Sequence, residues 1–440
     1  VKLFKRKAKK ACVIGLDGVP HSLLSALMEG GVMPETRRIV SGGVLRSMTV
    51  TLPEISSVSW STFMTGRNPG EHGIFGFTDW KPGTYDLRFP SFRDLKTETI
   101  WDRLGRSGMR SIVVNQPSTY PAREIPGVLI SGFVAIDLEK ALYPRRYLSS
   151  LGRVRYRIDV DTERCRDHPE RLFAELSSLL ECRQAIVDEL WDQEEWNLME
   201  VVITGTDRLH HFLWDAWGNP SHPHHDGFLD YYRQVDAFIG RLHGRFREAS
   251  DGDNFFLLSD HGFCGVRHEV HVNTILEKAG FLKLGPGSKG AESALAAISE
   301  TSRAFALDPA RIYLHRKGRF PKGQVGEPEV SSLIGELTAL FESVEHEGEK
   351  IVRRVFKGKD VYRGPFVSQG PDLLLVPRNG YDMKGRLGRP SMIAERRLQG
   401  MHTWDDAFFF SGRSDLLSST EELTIVDVPW KVLRSLDVQT

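Results

Sequence analysis

Short, unbroken apolar runs alternate along this chain with stretches whose apolar residues recur at helical spacing. ACVIGL, SIVVN, GVLISGF, MEVVI and NFFLL read as strands buried on both faces, as parallel sheets require. Helices are predicted from about Ser22 to Glu29 and from about Glu98 to Ser107. This rhythm predicts an α/β fold in a single domain over 1–440, with a mostly parallel central sheet flanked by helices. From about Tyr143 to Asn197 the strand signal disappears. There ERLFAELSSLLECRQAIVDELW predicts a long amphipathic helix, so 143–197 is expected to form a helical flank or cap. The mixed stretch 281–324, Gly/Ser-rich at LGPGSKGAESA, is expected to be a rim insertion. VSSLIGELTALFESV predicts a further helix, PDLLLVP a strand, and HTWDDAFFFSG a late strand. No tandem repeat is present, which excludes a solenoid.

Three of the strand-like runs end in aspartate. ACVIGLDG delivers Asp17, MEVVITGTD delivers Asp207, and NFFLLSDHG delivers Asp260. Sites in open α/β sheets lie beyond the carboxyl ends of their strands, so three carboxylates converge on one edge. His211 follows Asp207 by four residues, on the same face of a helical turn, and His261 adjoins Asp260. Taken singly, each aspartate reads as a turn residue. Together they suit a pair of divalent metals, with candidates Asp17, Asp207, His211, Asp260, His261 and His402 and a hydroxyl from near Ser56. His222, His224 and His225 sit on a Pro-rich loop and read as solvated. Of His268 and His271, three apart on a strand, at most one could reach the site, and His210 points away from His211.

The hydroxyl lies in TLPEISSVSWSTFMTG, a loop that enters a helix around Val58 to Thr65 and stops at Gly66. A helix N-terminus favours anions and would help hold a phosphoryl oxygen, although a plain serine cap is the alternative.

Composition adds limits. The 440 residues are 40% hydrophobic and 26% charged, an ordinary globular balance. Lysine plus arginine and aspartate plus glutamate both total 58, so no global field points to nucleic acid or membrane. The basic start VKLFKRKAKK reads as a solubilising lead-in, and the apolar run after it is too short for a signal peptide or membrane span. Four cysteines without CxxC spacing fit a reducing compartment, so a cytoplasmic location is expected. Oligomeric state is left open.

The motifs occur in an order that resembles the type I phosphodiesterase/nucleotide pyrophosphatase family of the alkaline phosphatase superfamily. VIGLDG resembles its first metal-binding strand, and TGRNPGEHGI the tail of its nucleophile helix. TDRLHHFLW resembles its D-x-x-x-H segment, SDHGF its D-H-G segment, and GMHTWDDAFFFSG the segment with its last histidine. The resemblance implies an alkaline-phosphatase-like core and two divalent ions, zinc by their ligands, with iron or manganese as alternatives. It further implies that Asp17, Asp260 and His261 hold one ion with the nucleophile oxygen, and that Asp207, His211 and His402 hold the other. The family nucleophile lies nine residues before the Thr of T-G. From Thr65 that count reaches Ser56, with Ser57 its neighbour and competitor.

Two departures stand out: the usual threonine nucleophile is a serine, and no asparagine follows it before Asn68, leaving Ser59 as the nearest polar stand-in. Asn115 and Tyr120, in NQPSTYP, are further candidates for the substrate pocket. The implied activity is hydrolysis of a small-molecule phosphodiester through a phospho-seryl intermediate. Alternatives are a phosphomonoesterase or phosphonate hydrolase, or a non-catalytic binding relative. A sulfatase is disfavoured because SSVSW lacks the S/C-x-P-x-R context, and a phosphomutase would share the site but transfer rather than hydrolyse.

Overall fold

The computed structural model describes residues 9–250, 253–285, 295–417 and 422–439. The basic start up to residue 8 and the Gly/Ser-rich stretch 286–294 lie outside the described residues. Eight strands form the main sheet, in the order Val44–Met48, Ala407–Ser411, Phe255–Leu258, Ala11–Leu16, Leu198–Ile203, Ser111–Gln116, Gly127–Ser131 and Leu142–Tyr143. The five strands from Phe255–Leu258 to Gly127–Ser131 run parallel, and the antiparallel pairings lie at the two edges.

The central runs are apolar throughout because both faces are covered. Cys12, Ile14 and Leu16 face one core with Leu176, Ile186 and Leu242 from the helices Pro169–Gln193 and His225–Ala249. Ala11 and Val13, one register step away, face the other core. That core holds Trp60, Trp101 and Leu433 from the helices Ser56–Thr65, Ile100–Arg106 and Val428–Ser435. The long helix expected in 143–197 is therefore the Pro169–Gln193 segment, lying against the sheet.

A four-stranded sheet is built from Ala304–Leu307, Arg311–Leu314, Leu373–Pro377 and Val352–Lys357. Helix Glu327–Ser343 covers it around Leu333, Leu337 and Phe305. Two of these strands come from the stretch 281–324. Among the described residues, no helix is long and apolar enough to cross a membrane.

The central strand Leu198–Ile203 buries a glutamate. Glu200 Oε2 accepts a hydrogen bond from Trp101 Nε1–H at 2.9 Å, while Oε1 is buried without a partner. Burial pushes the carboxyl up to about 8 from its ordinary 4.5. The folded state thus favours the protonated form. That contribution is complete below the unfolded value and is lost as pH rises through about 8. Glu200→Gln should flatten the fall of the urea midpoint between about pH 5 and 8. Equal slopes in both proteins would count against a neutral Glu200.

Candidate active site

Asp17, Asp207 and Asp260 lie just beyond the ends of the three adjacent strands Ala11–Leu16, Leu198–Ile203 and Phe255–Leu258. Asp207 sits in the first turn of helix Gly205–Gly218, which places His211 one turn on. His402 arrives from the far end of the chain, because strand Gly400–Thr403 pairs antiparallel with Gly262–Gly265 and sets His402 opposite Phe263. Ser56 opens helix Ser56–Thr65, two residues earlier than the sequence predicts.

These side chains form one cluster. Ser56 Oγ lies 3.1 Å from His261 Nε2 and 3.3 Å from Asp17 Oδ1. His261 Nε2 lies 3.4 Å from Asp260 Oδ2. On the other side, Asp207 Oδ1 is 3.3 Å from His211 Nε2 and 3.2 Å from His402 Nε2, and those two nitrogens are 3.0 Å apart. The rings of His261 and His402 stack at 3.6 Å, joining the two halves.

Main-chain carbonyls fix the tautomers. His211 Nδ1 faces Gly400 O at 3.0 Å, His402 Nδ1 faces Glu54 O at 2.9 Å, and His261 Nδ1 faces Gly262 O at 3.0 Å. A carbonyl only accepts, so each Nδ1 carries a proton, and in its neutral form each ring turns a bare Nε2 lone pair inward. Burial, with the neighbouring His261 and His211, pushes His402 down to about 3, and burial also lowers His261. Two lone pairs 3.0 Å apart beside a carboxylate repel one another unless a cation lies between them.

The carboxylates tell the same story. Burial, together with Asp260 and Asp207, raises Asp17 well above the usual range, and burial pushes Asp260 up to about 7. Burial also pushes Asp207 upward, but Arg208 and a proton or cation on the Nε2 side of His211 and His402 outweigh it and hold that carboxyl well below the usual range. Asp207 Oδ1 and Asp260 Oδ2 are buried without hydrogen-bond donors. Orphaned carboxylate oxygens facing inward-turned imidazole nitrogens are a donor set suited to zinc-like divalent ions. Asp207, His211 and His402 form one group with ligand atoms within 4.8 Å of one another, and Asp17, Asp207 and His261 form another.

Local sequence explains the tight approach. Gly18 has φ +65°, and a Cβ there would meet His261 Cε1 at 3.1 Å and Asp207 Oδ1 at 3.3 Å. Its N–H donates to Asp260 Oδ1 at 3.0 Å, and its carbonyl accepts from His210 Nδ1 at 2.9 Å. His210 is thus a buried brace, accepting from the Tyr232 hydroxyl at 2.7 Å.

Three neighbours escaped the sequence reading. Trp60 Nε1–H donates to Asp17 Oδ2 at 3.2 Å. Arg208 ties Asp207 Oδ2 at 3.0 Å to Asp159 at 2.6 Å. Glu54 lines a cavity beside His402, and burial pushes its carboxyl up to about 7. Arg208, Glu54 and Trp60 all lie inside segments singled out in the sequence, but nothing local marks what they contact.

The remaining candidates sit as follows. Ser59 Oγ is buried without a hydrogen-bond partner. Asn115 is buried, and its Nδ2 donates to Val202 O at 2.9 Å. Tyr120 is half-buried, and its carbonyl accepts from Phe92 N–H at 3.0 Å. His271 Nδ1 faces Ser391 O at 2.9 Å, and the His268 ring meets His346 at 4.9 Å, where Glu347 completes a separate surface group.

Residues 11–405 match the protein family described as type I phosphodiesterase / nucleotide pyrophosphatase. Among solved structures, phosphonoacetate hydrolase from Sinorhizobium meliloti is similar at a TM-score of 0.65 and 16% identity, over 98% of this chain and 96% of that one. Alkaline phosphatase PafA is similar at 0.62 and 14%, over 99% and 97%. Murine ectonucleotide pyrophosphatase / phosphodiesterase 5 is similar at 0.56 and 14%, over 98% and 96%. At these identities the likeness shows a shared fold, an alkaline-phosphatase-like α/β core. No curated protein matches the chain in sequence.

Proposed function

Because the chain belongs to the type I phosphodiesterase/nucleotide pyrophosphatase family of phosphoester hydrolases, we propose that it cleaves a small phosphodiester by attack of Ser56 on phosphorus. The observation that carries this reading is the inward facing of three bare Nε2 atoms and two orphaned carboxylate oxygens around the Ser56 hydroxyl. Asp17, Asp260 and His261 with Ser56 would hold one divalent ion, and Asp207, His211 and His402 a second. Zinc fits these donors, with iron or manganese as alternatives. Bound there, such ions supply a lowered pKa for the Ser56 hydroxyl and charge stabilisation for the departing oxygen.

The chain's own part is positioning. Asp17 Oδ1 and His261 Nε2 hold Ser56 Oγ from two sides at the start of a buried helix, whose N-terminus favours phosphoryl oxygens. The Oγ–P bond forms as the ester P–O bond breaks, the alcohol leaves with a proton, and water then hydrolyses phospho-Ser56. His211 and His402 line the cavity on the leaving side.

Bis-p-nitrophenyl phosphate and p-nitrophenyl phosphate separate the rival activities. The diester should show the larger kcat/KM, by about tenfold or more. Faster turnover of the monoester would move the assignment to a phosphomonoesterase.

A further inference from the structure

Two half-buried histidines outside the catalytic cluster meet from separate parts of the chain. His268 opens strand His268–His271, the middle strand of a three-stranded sheet with Tyr381–Lys384 and Ile393–Glu395. His346 lies in the hairpin formed by Glu345–His346 and Glu349–Lys350, whose two-residue turn is Glu347 and Gly348. Both turn residues have left-handed φ, +51° and +80°, as a type I′ turn requires. The buried Tyr381 ring sets the two imidazoles. It stacks on His268 at 5.7 Å and meets His346 edge-on at 6.3 Å, and the imidazoles lie edge to face at 4.9 Å. Arg267 covers the Tyr381 ring at 5.0 Å, and its charge is answered by Glu349 at 3.0 Å.

His210, His225, His271 and His315 each donate a ring N–H to a main-chain carbonyl. Among the described residues, the His268 and His346 side chains make no hydrogen bond, so their ring nitrogens are free to serve as donors to an ion. A nitrogen from each ring and a Glu347 oxygen lie within 4.8 Å of one another, with His346 Nε2 3.8 Å from Glu347 Oε1. Donors on one tetrahedral zinc-like ion stand about 3.4 Å apart. Side-chain rotation closes the difference, because Glu347 is 76% exposed. Two imidazoles and one carboxylate favour zinc, nickel or copper over magnesium and calcium, which take oxygen donors. We propose that His268, His346 and Glu347 bind a divalent ion of the zinc class, separate from the catalytic cluster, with water completing its coordination. The ion would clip the hairpin to strand His268–His271. This site stands independently of the esterase reading.

Calorimetric titration with zinc should find one more equivalent per chain in the wild type than in His346→Gln or His268→Gln, or that equivalent weakened about tenfold or more. Both variants should hydrolyse bis-p-nitrophenyl phosphate within about threefold of wild type, which separates this site from the catalytic cluster. Hydrogen exchange of the hairpin amides at 345–350 should slow when zinc is added to the wild type and not when magnesium is added. The slowing should vanish in His346→Gln and persist in Asp207→Asn. Equal zinc uptake in the wild type and both variants overturns the inference while leaving the esterase reading intact. Equal protection by magnesium does the same, and that comparison needs no variant.

Discussion

Ser56→Ala should lower kcat/KM for bis-p-nitrophenyl phosphate by about ten-thousandfold or more while leaving metal content near the wild-type value. The expectation rests on geometry. Ser56 Oγ is the hydroxyl that touches both Asp17 and His261, so its loss removes the atom that must bond to phosphorus. The carboxylates and imidazoles that would hold the ions stay in place, because none depends on that oxygen for its tautomer. Ser57 is the control. Its hydroxyl is buried without a partner, and its carbonyl accepts the Ser61 hydroxyl at 2.6 Å. Ser57→Ala should therefore stay within about threefold of wild type. Rapid quenching followed by mass spectrometry should find a phosphoryl group on the peptide containing Ser56. Full activity in Ser56→Ala, with loss in Ser57→Ala, would shift the nucleophile by one residue.

What could be read from the chain alone follows from which interactions are local. The strand-end aspartates were legible because a parallel strand is an unbroken apolar run, and the residue after it emerges at the sheet edge. The pairing of Asp207 with His211 was legible because four residues make one helical turn. Adjacency of the three strands was a different matter, since their order in the sheet is set by packing between segments nearly 250 residues apart. His402 shows the limit most clearly. Its place depends on the pairing of Gly400–Thr403 with Gly262–Gly265, and no local period encodes that partner; family resemblance assigned it to the ion of Asp207 and His211. Trp60 reaches Asp17 because Gly15 leaves room, a Cβ there falling 2.4 Å from the Trp60 ring. Glu54 could be seen beside Ser56, but the cavity it lines is completed by Phe77, Asp308 and Lys384, which three distant segments bring together.

Asp207→Asn should cost about one bound metal per chain and about a thousandfold in kcat/KM, with the fold retained. Arg208 keeps Asp159 at 2.6 Å when Asp207 loses its charge, so no buried cation is stranded. The same carboxylate crowding gives the metal-free protein a distinctive pH dependence. Asp260 is pushed up to about 7 and Asp17 is raised as well, so both favour the protonated form in the fold. The Asp260 contribution is complete below its unfolded value and is lost as pH rises through about 7, and Asp17 acts in the same direction. The histidines act oppositely. His402 is pushed down to about 3, so its contribution is present above its ordinary 6.5 and lost as pH falls below it. Zinc has to displace protons from the carboxylates and finds His402 already neutral. The rise in Tm on adding zinc should accordingly be larger at about pH 8 than at about pH 6, and smaller in Asp207→Asn at both. Glu200 also weakens the fold toward high pH, but its contribution is independent of metal and cancels in the zinc-minus-apo difference. A zinc-induced shift of equal size at both pH values, or one undiminished in Asp207→Asn, would mean that the ion binds somewhere other than this cluster.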